Sequence, residues 1–404
     1  MKIAYLIHWN EGPEIGVCKK IISQALAWQA LGHDTALFLF SRGTAAAWTE
    51  AETGGLPVFR ETYRGRLSRT SRFKALTARV RAWEPDVVYH RFDLYYPSLP
   101  RLLRDYPSVL EINTNDVAEL ALEGSGLRLR RIYHLLTRRL VLGAAGGFVF
   151  VSGELAEANG FRRYAKNYAV IGNGIPLEQF SGGREGGVAV SGGGATSGGG
   201  EDARDSAAAT ASAAAAARMG EGSAVRLVFL GSPGQAWQGL DEIARLAEAK
   251  PDWRFDVIGP ERGELEAAGL LSPPNMTFHG QLTRERYQPL LDRADLAIGT
   301  LALYRKGMEE ASPLKVREYL ANGLPVIAAY RETDFPEPEP FFLQLPCEPE
   351  SAVRHLSAVE RFARDWRGRR VERGHVRHLD VAVKEAERVG YMRQIAGKRE
   401  RGDG

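Results

Sequence analysis

The hydrophobic pattern along the chain switches repeatedly between two periods. Short, almost wholly apolar runs, KIAYLIH (2–8), DTALFLF (34–40), DVVYH (86–90), SVLEIN (108–113) and GGFVFVS (146–152), predict strands buried on both faces. Between them lie stretches with apolar residues at helical spacing, notably 17–32, 66–83 and 127–142. In 17–32 the inward set is Ile21, Ile22, Ala25, Leu26 and Leu31, and Gly32 stands where a helix ends. Buried strands alternating with helices predict a parallel sheet covered by helices. The pattern restarts after residue 224. Strands are expected at 225–231, 254–259, 276–280, 296–301 and 324–330, and helices at 238–249, 284–294, 312–323 and through 350–396. The fold class so read is α/β, two doubly wound, Rossmann-like domains facing a cleft.

The segment 181–223 breaks the pattern. Of its 43 residues, 30 are Gly, Ala or Ser. Such a segment buries too little surface to offset its ordering entropy, so it is expected to be a disordered insert. It sits within a hinge region, 171–224, between a first domain, 1–170, and a second, 225–375, with a loose tail at 397–404.

Composition narrows the classes. At 44% hydrophobic and 25% charged residues, the 404-residue chain has material for sizeable cores. Its two cysteines, Cys18 and Cys347, exclude a disulfide framework and a cysteine-based zinc module. Residues 1–180 carry 23 basic against 17 acidic side chains, which points to an anionic partner. No nucleic-acid-binding motif accompanies that charge. The N-terminal apolar run is too short for a signal peptide, and no run approaches the ~20 apolar residues of a membrane span. The chain is expected in the cytoplasm, free or resting on the inner face of a membrane.

In open parallel sheets ligands sit at the carboxyl ends of strands, so the loops after strands carry the candidates. The most informative is LYRKGMEEASPLKVREYL (303–320). Glu310 and Glu318 have seven residues between them, one in a loop and one in a helix, placed to hold two ends of one ligand. Between them Ser312 is expected as N-cap and Pro313 at the first helical position. A helix N-terminus with Lys315 in its first turn suits a pyrophosphate, and carboxylates suit sugar or ribose hydroxyls. His90, with Arg91 beside it at a strand end, reads either as an acceptor-side group or as a hydrogen-bonded loop histidine. Asn115 and Asp116 either serve a site or cap the next helix. In RLRRIYHLLTRRL (128–140), Arg128, Arg131, Arg138 and Arg139 read as an anionic-lipid face over inward leucines, or as a solvated helix face.

EASPLKVREYLANGLPVIA resembles the E-x(7)-E motif, helix and strand of glycosyltransferase family 4, retaining enzymes of the GT-B fold. VIGNGIPLEQF (170–180), FDVIGP, TFHGQL and LLDRADLAI extend the resemblance, and GPEIGVCKKIISQALAWQALGHDTALF is similar to the family's first loop, helix and second strand. The resemblance implies transfer of a sugar, with retention and without a metal, from a nucleotide-diphosphate sugar that serves as co-substrate, no other cofactor being needed. The acceptor would be a glycan, a lipid or a small molecule, in a role such as cell-envelope polysaccharide synthesis. It implies that the first domain binds acceptor, that the second binds donor, and that a helix at 376–396 packs back on both. Glu310 would contact the donor sugar and Glu318 the ribose. The amides of Ser312 and Leu314 would meet the pyrophosphate. Gly259 and the stretch through Gly280, Gln281 and Leu282 would border the base. Gly16, with Glu14 nearby, would let backbone approach the donor phosphate.

Two departures bear on the chemistry. The family's diphosphate-neutralising Arg and Lys are replaced by Ser232 and Gln238, so that charge must be met elsewhere, by Lys315, Arg305 or Lys306. The family's T-x-H-D loop reads NTND, with Asn115 in place of the His. The rival readings are a nucleotide-sugar epimerase of the same fold and a non-catalytic nucleotide-sugar-binding partner.

Overall fold

A computed structural model of the chain describes residues 1–12, 16–45, 48–122, 128–180 and 224–400. The expected insert at 181–223 and the last four residues lie outside the described residues. The first domain holds strands β1 (Lys2–His8), β2 (Asp34–Arg42), β3 (Val58–Tyr63), β4 (Val87–Arg91), β5 (Ser108–Ile112), β6 (Gly147–Phe150) and β7 (Tyr168–Val170). They form one parallel sheet in the order β3-β2-β1-β4-β5-β6-β7. The second domain holds β8 (Arg226–Leu230), β9 (Arg254–Ile258), β10 (Met276–Phe278), β11 (Leu296–Ile298), β12 (Glu310–Ala311), β13 (Val326–Ala328), β14 (Arg331–Glu332) and β15 (Phe342–Gln344). Its main sheet runs β10-β9-β8-β11-β13-β15, and β12 pairs with β14 alone. Strand order reverses beside β1 and beside β8, the places where open sheets leave a crevice at their carboxyl ends.

Beyond the expected strands, β3 and β7 flank the first sheet. β3 has one polar edge and reads VFRETY, and β7 has three residues, so neither forms an apolar run. The helices used below are α1 (Gly16–Ala30), α2 (Arg66–Trp83), α3 (Asp116–Leu122), α4 (Arg128–Leu142), α5 (Gly153–Glu157), α6 (Leu240–Ala249), α7 (Arg284–Arg293), α8 (Leu314–Ala321) and α9 (Val381–Glu400). Both faces of β1 are buried: Ile3, Tyr5 and Ile7 pack toward α1 and α9, and Ala4 and Leu6 toward the opposite helical layer. In α1 the inward tryptophan is Trp28, fully buried, whereas Leu31 lies past the helix end and is exposed. Gly32 takes the left-handed conformation that ends the helix, φ +83°.

α9 is longer than expected. It continues to Glu400, so the tail from 397 begins as helix. It lies on the first domain, where Trp28 Nε1 donates to Glu385 (2.8 Å) and the amide of Phe148 donates to the Tyr391 hydroxyl (3.0 Å). It reaches the second domain through Lys384 Nζ, 2.6 Å from Asp334 Oδ1. The basic run forms α4 with a facing opposite to the one expected. Arg138 is buried against Asp116, and Ile132, Tyr133, Leu135, Leu136 and Leu140 are exposed. The cause is the buried Asp116 carboxylate, which draws His134 and Arg138 inward and turns the leucines out.

Candidate functional site

The two domains meet at the carboxyl ends of their sheets, and α8 stands at the junction. Its N-cap position is Pro313, and no side chain caps it. Ser312, expected as the cap, is spent elsewhere: its hydroxyl accepts from the Asn173 amide (2.8 Å) and from Arg317 Nη2 (2.6 Å). Arg317, fully buried, also donates to the Asn173 carbonyl (2.8 Å), to Glu332 (2.7 Å) and to Asp334. The hinge segment 171–174 is therefore clamped to the start of α8. A Cβ on Gly172 would meet Asp334 Oδ2 at 2.1 Å, so a larger residue there would displace the carboxylate that Arg317 and Lys384 hold. With Ser312 turned to the hinge, the first amides of α8 point outward without a side-chain acceptor.

Lys315 meets Gln238, one of the two residues that stand where the resemblance expects diphosphate-neutralising cations. Its Nζ donates to Gln238 Oε1 at 2.9 Å and lies 4.1 Å from the Phe229 ring centroid. Gln238 Oε1 also accepts from the Ser232 amide (3.1 Å). Lys315 thus reaches the loop that carries Ser232 and Gln238, whereas Arg317 is turned to the hinge. Burial pushes the Lys315 ammonium well below the ordinary lysine range, and no carboxylate opposes that shift. The other two candidate cations are committed. Arg305 is held bidentately by Asp241, at 2.8 and 2.6 Å. Lys306 lies 4.1 Å over the Trp237 ring and 3.8 Å from Glu119 of α3.

The two glutamates occupy different environments. Glu318 accepts from the Tyr287 hydroxyl of α7 at 2.6 Å, and burial raises its carboxyl above the usual range, with Arg284 and Lys19 of α1 pulling the other way. Lys19 belongs to the first domain, so Glu318 looks across the cleft. Glu310 spans it: its carboxylate accepts from the amides of Gly153 and Glu154, both at 3.0 Å, at the start of α5. The Glu154 carboxylate answers by accepting from the amides of Glu309 (2.8 Å) and Glu310 (2.6 Å). These reciprocal charge-assisted bonds hold the domains together at that end.

The remaining second-domain candidates frame the same region. Gly259, at φ +101°, abuts Gly231, whose carbonyl would lie 1.9 Å from an added Cβ. Its amide donates to the Gly280 carbonyl at 2.7 Å, tying the β9 end to the Gly280–Leu282 loop. Gln281 is exposed there, and Leu282 is partly buried against the core.

In the first domain Gly16 opens α1, exposed, with nothing within 4 Å of an added Cβ. Glu14 lies outside the described residues. Asn115 accepts from the Ala118 amide (3.0 Å) and so caps α3. Asp116 is buried, 2.7 Å from Arg138 Nε and 2.6 Å from His134 Nε2; against the cost of burial these hold its carboxyl below the usual range. Those contacts direct both side chains into the first domain. His90 is buried, its Nδ1–H donating to the Leu6 carbonyl (2.9 Å), and burial lowers its imidazole to about 4. It is thus neutral near neutrality. Arg91 lies at the cleft edge, 5.5 Å from the Trp9 ring.

Two groups at strand ends escaped the sequence reading. His8, the last residue of β1, pairs through Nδ1 with Asp93 and lies 3.0 Å through Nε2 from the Tyr63 hydroxyl. Burial opposes ionisation of Asp93, yet the His8 bond holds its carboxyl down to about 2. Glu111 on β5 is fully buried, with Lys20 Nζ at 3.0 Å and Gln24 Nε2 at 3.2 Å. The rule that ligands gather at carboxyl strand ends marks both, but nothing in the spacing pairs residues 85 or 91 positions apart. Among the described residues no group of three or more His, Cys, Asp or Glu has the geometry to hold a metal ion.

Two doubly wound sheets thus meet at an uncapped helix start with a half-buried lysine beside it. The chain matches the family described as Glycosyl transferase 4-like domain over residues 18–174, and that described as Glycosyl transferases group 1 over residues 224–356. The two matches together span most of the chain, which belongs to this glycosyltransferase family and is a GT-B glycosyltransferase. No curated protein sequence matches it. Among solved structures it is similar to Anabaena HepE in complex with UDP and glucose, at 17% identity and a TM-score of 0.59, covering 98% of this chain and 100% of that one. It is also similar to sucrose-phosphate synthase from Thermosynechococcus elongatus (15% identity, TM-score 0.59, 99% and 97% covered). A glycosyltransferase from Rickettsia africae gives a TM-score of 0.60 at 12% identity, with 98% of each chain covered. At these identities the likeness is one of fold.

Proposed function

We propose that the protein transfers a sugar with retention from a nucleoside-diphosphate donor held at the start of α8, without a metal. The observation that carries this reading is Lys315: a half-buried side chain whose desolvated ammonium stands beside uncapped helix amides, with no carboxylate among the described residues to neutralise it. An anion with at least two negative charges suits that place, because helix dipole and ammonium act together. Glu318 would accept the ribose hydroxyls and Glu310 the sugar hydroxyls. For Glu310 to do so it must exchange its bonds to the α5 amides for bonds to the sugar, so donor entry and domain movement are one event. Lys315 and the α8 amides then stabilise the charge that develops on the leaving diphosphate, which takes up the acceptor proton. HepE, a structural relative, binds UDP and glucose, which favours a UDP-sugar as donor.

A thermal-shift screen of UDP-, GDP- and ADP-sugars tests the donor, since a ligand that binds only the folded state raises Tm. One nucleotide series should shift the melt, and a flat response to all three would sink the reading. Product anomeric configuration by NMR tests retention, and turnover unchanged by a chelator tests metal independence.

The acceptor side is proposed to work on a glycan or lipid-linked acceptor at a membrane surface. Five exposed large apolar side chains share α4 with exposed Arg131 and Arg139, a combination suited to an anionic bilayer. Among the described residues no helix is long and apolar enough to cross one. Co-sedimentation with anionic vesicles should fall when Leu136 and Leu140 are both replaced by Ser, and equal binding by that variant would refute the surface.

A further inference from the structure

We propose that the carboxyl edge of β1, β4 and β5 is a subsite for an oxyanion, a phosphate or carboxylate group borne by the acceptor, read by Trp9, Arg91 and Asn113. The inference rests on the transferase reading only for calling the ligand an acceptor. The site lies in the first domain, opposite the start of α8.

The three side chains come from adjacent strand ends. Trp9 follows the last residue of β1, Arg91 ends β4, and Asn113 follows the last residue of β5. β4 lies between the other two, with Arg91 in register with Glu111. Each side chain carries a buried N–H group without an acceptor: Trp9 Nε1, Arg91 Nη1 and Asn113 Nδ2. Buried donors are nearly always paired, so three orphans on neighbouring strand ends mark a place shaped for acceptors that a ligand brings. The surrounding contacts hold them in position. The Arg91 guanidinium lies 5.5 Å from the Trp9 ring centroid. Lys20 Nζ donates to Asn113 Oδ1 at 2.6 Å, which fixes the amide beside Glu111, whose carboxylate it helps keep ionised, with no acceptor within hydrogen-bonding distance of Nδ2.

Charge decides between a neutral hydroxyl and an oxyanion. Lys20, Arg91 and Arg388 converge on Glu111, at 3.0, 3.8 and 3.9 Å. Glu385, paired with Arg388 and bonded to Trp28, is the second carboxylate of the cluster, and the nearby Asp93 is hydrogen-bonded to His8 and offset by Arg69. Glu111 also accepts from Gln24 and Tyr5, which leaves Arg91 Nη1 outside hydrogen-bonding distance of it. Three cations thus face two carboxylates. A neutral sugar would satisfy the N–H groups and leave the excess charge; an oxyanion meets both. The edge faces the second domain, because Lys19 of α1 acts on Glu318, the α5 amides bind Glu310, and Glu119 of α3 meets Lys306.

The test uses the full chain labelled with nitrogen-15 and follows tryptophan indole resonances, Trp9 being assigned by Trp9→Phe. Inorganic phosphate is titrated at constant ionic strength into the wild type, Arg91→Gln and Lys315→Met, with acetate in parallel to separate carboxylate from phosphate. The Trp9 indole signal should move saturably in the wild type and in Lys315→Met. In Arg91→Gln the apparent affinity should weaken about tenfold or more, the worth of one charge-assisted bond. Asn113→Ala, for which the same loss is expected, is the second variant should Arg91→Gln fail to fold. An unmoved Trp9 signal with both anions overturns the proposal. So does a response equal in the folded Arg91 or Asn113 variant, or one abolished by Lys315→Met, which would place the phosphate at α8. Failure of the donor reading shows separately, as a flat nucleotide-sugar melt.

Discussion

Replacing Lys315 by Met should weaken the donor complex and stabilise the free protein, two effects of opposite sign from one side chain. In the free protein the side chain is half-buried and its ammonium desolvated, with the Gln238 side-chain carbonyl oxygen at 2.9 Å and the Phe229 ring beside it, and no carboxylate among the described residues opposes that. Its folded-state pKa lies below the unfolded value, so the unfolded chain binds the proton more readily, and the penalty on stability grows as pH falls from the ordinary lysine range. Methionine fills a similar volume without the charge. Each kcal/mol relieved should raise Tm by about 2–4 °C in a domain of this size. A diphosphate reverses the balance. A charge-assisted hydrogen bond contributes about 1.5–3 kcal/mol, so the variant should bind donor about ten- to hundredfold more weakly. The diphosphate raises the lysine pKa, so wild-type binding takes up a proton, and affinity falls as pH rises between the free-state and bound-state values. Isothermal titration in buffers of different ionisation enthalpy measures that uptake, and Lys315→Met should show none. Donor affinity within twofold of wild type, with unchanged proton uptake, would refute the reasoning.

Three further outcomes follow from the same contacts. Glu318→Ala should abolish turnover with little change in melting temperature, since its hydrogen bond to Tyr287 is one contact at the cleft edge; near-normal kcat at saturating donor would count against the site. Glu154→Ala removes the acceptor for the Glu309 and Glu310 amides, so small-angle scattering of the free protein should show a more open pair of domains; a superimposable profile would contradict that role. Asp116→Asn should cost about 3 kcal/mol, because it strips a buried pair of its anion. The Asp116 carboxyl is depressed, so its contribution is present above the unfolded aspartate range and is lost as pH falls through the folded value. Thermal melts from neutral to acid should therefore converge for wild type and variant at low pH, and parallel curves would sink the assignment.

Apolar runs and helical spacing were enough to read the two sheets, because a strand buried on both faces has no polar side to hide its period. The same reading missed the edge strands β3, β7 and β15, which are half-exposed or only three residues long, and misjudged α4, whose facing follows from one buried aspartate and not from its own leucines. Local pattern weighs average exposure; a single buried carboxylate outweighs several leucines, since leaving it unpaired costs more than exposing them. The E-x(7)-E segment likewise picked out, in the sequence, a stretch that lies at the domain junction, down to the lysine in the first turn of its helix. Only the tertiary structure sent the Ser312 hydroxyl to the hinge, paired Glu310 with the α5 amides, committed Arg305 to Asp241, and left Lys315 as the cation without a carboxylate. Those outcomes depend on contacts between residues as far as 157 positions apart, and spacing along a chain carries no record of which distant group reaches a charge first. Residue types and periods determined the layers and the place of the site, and the competition for each buried charge, settled in three dimensions, determined what that site can hold.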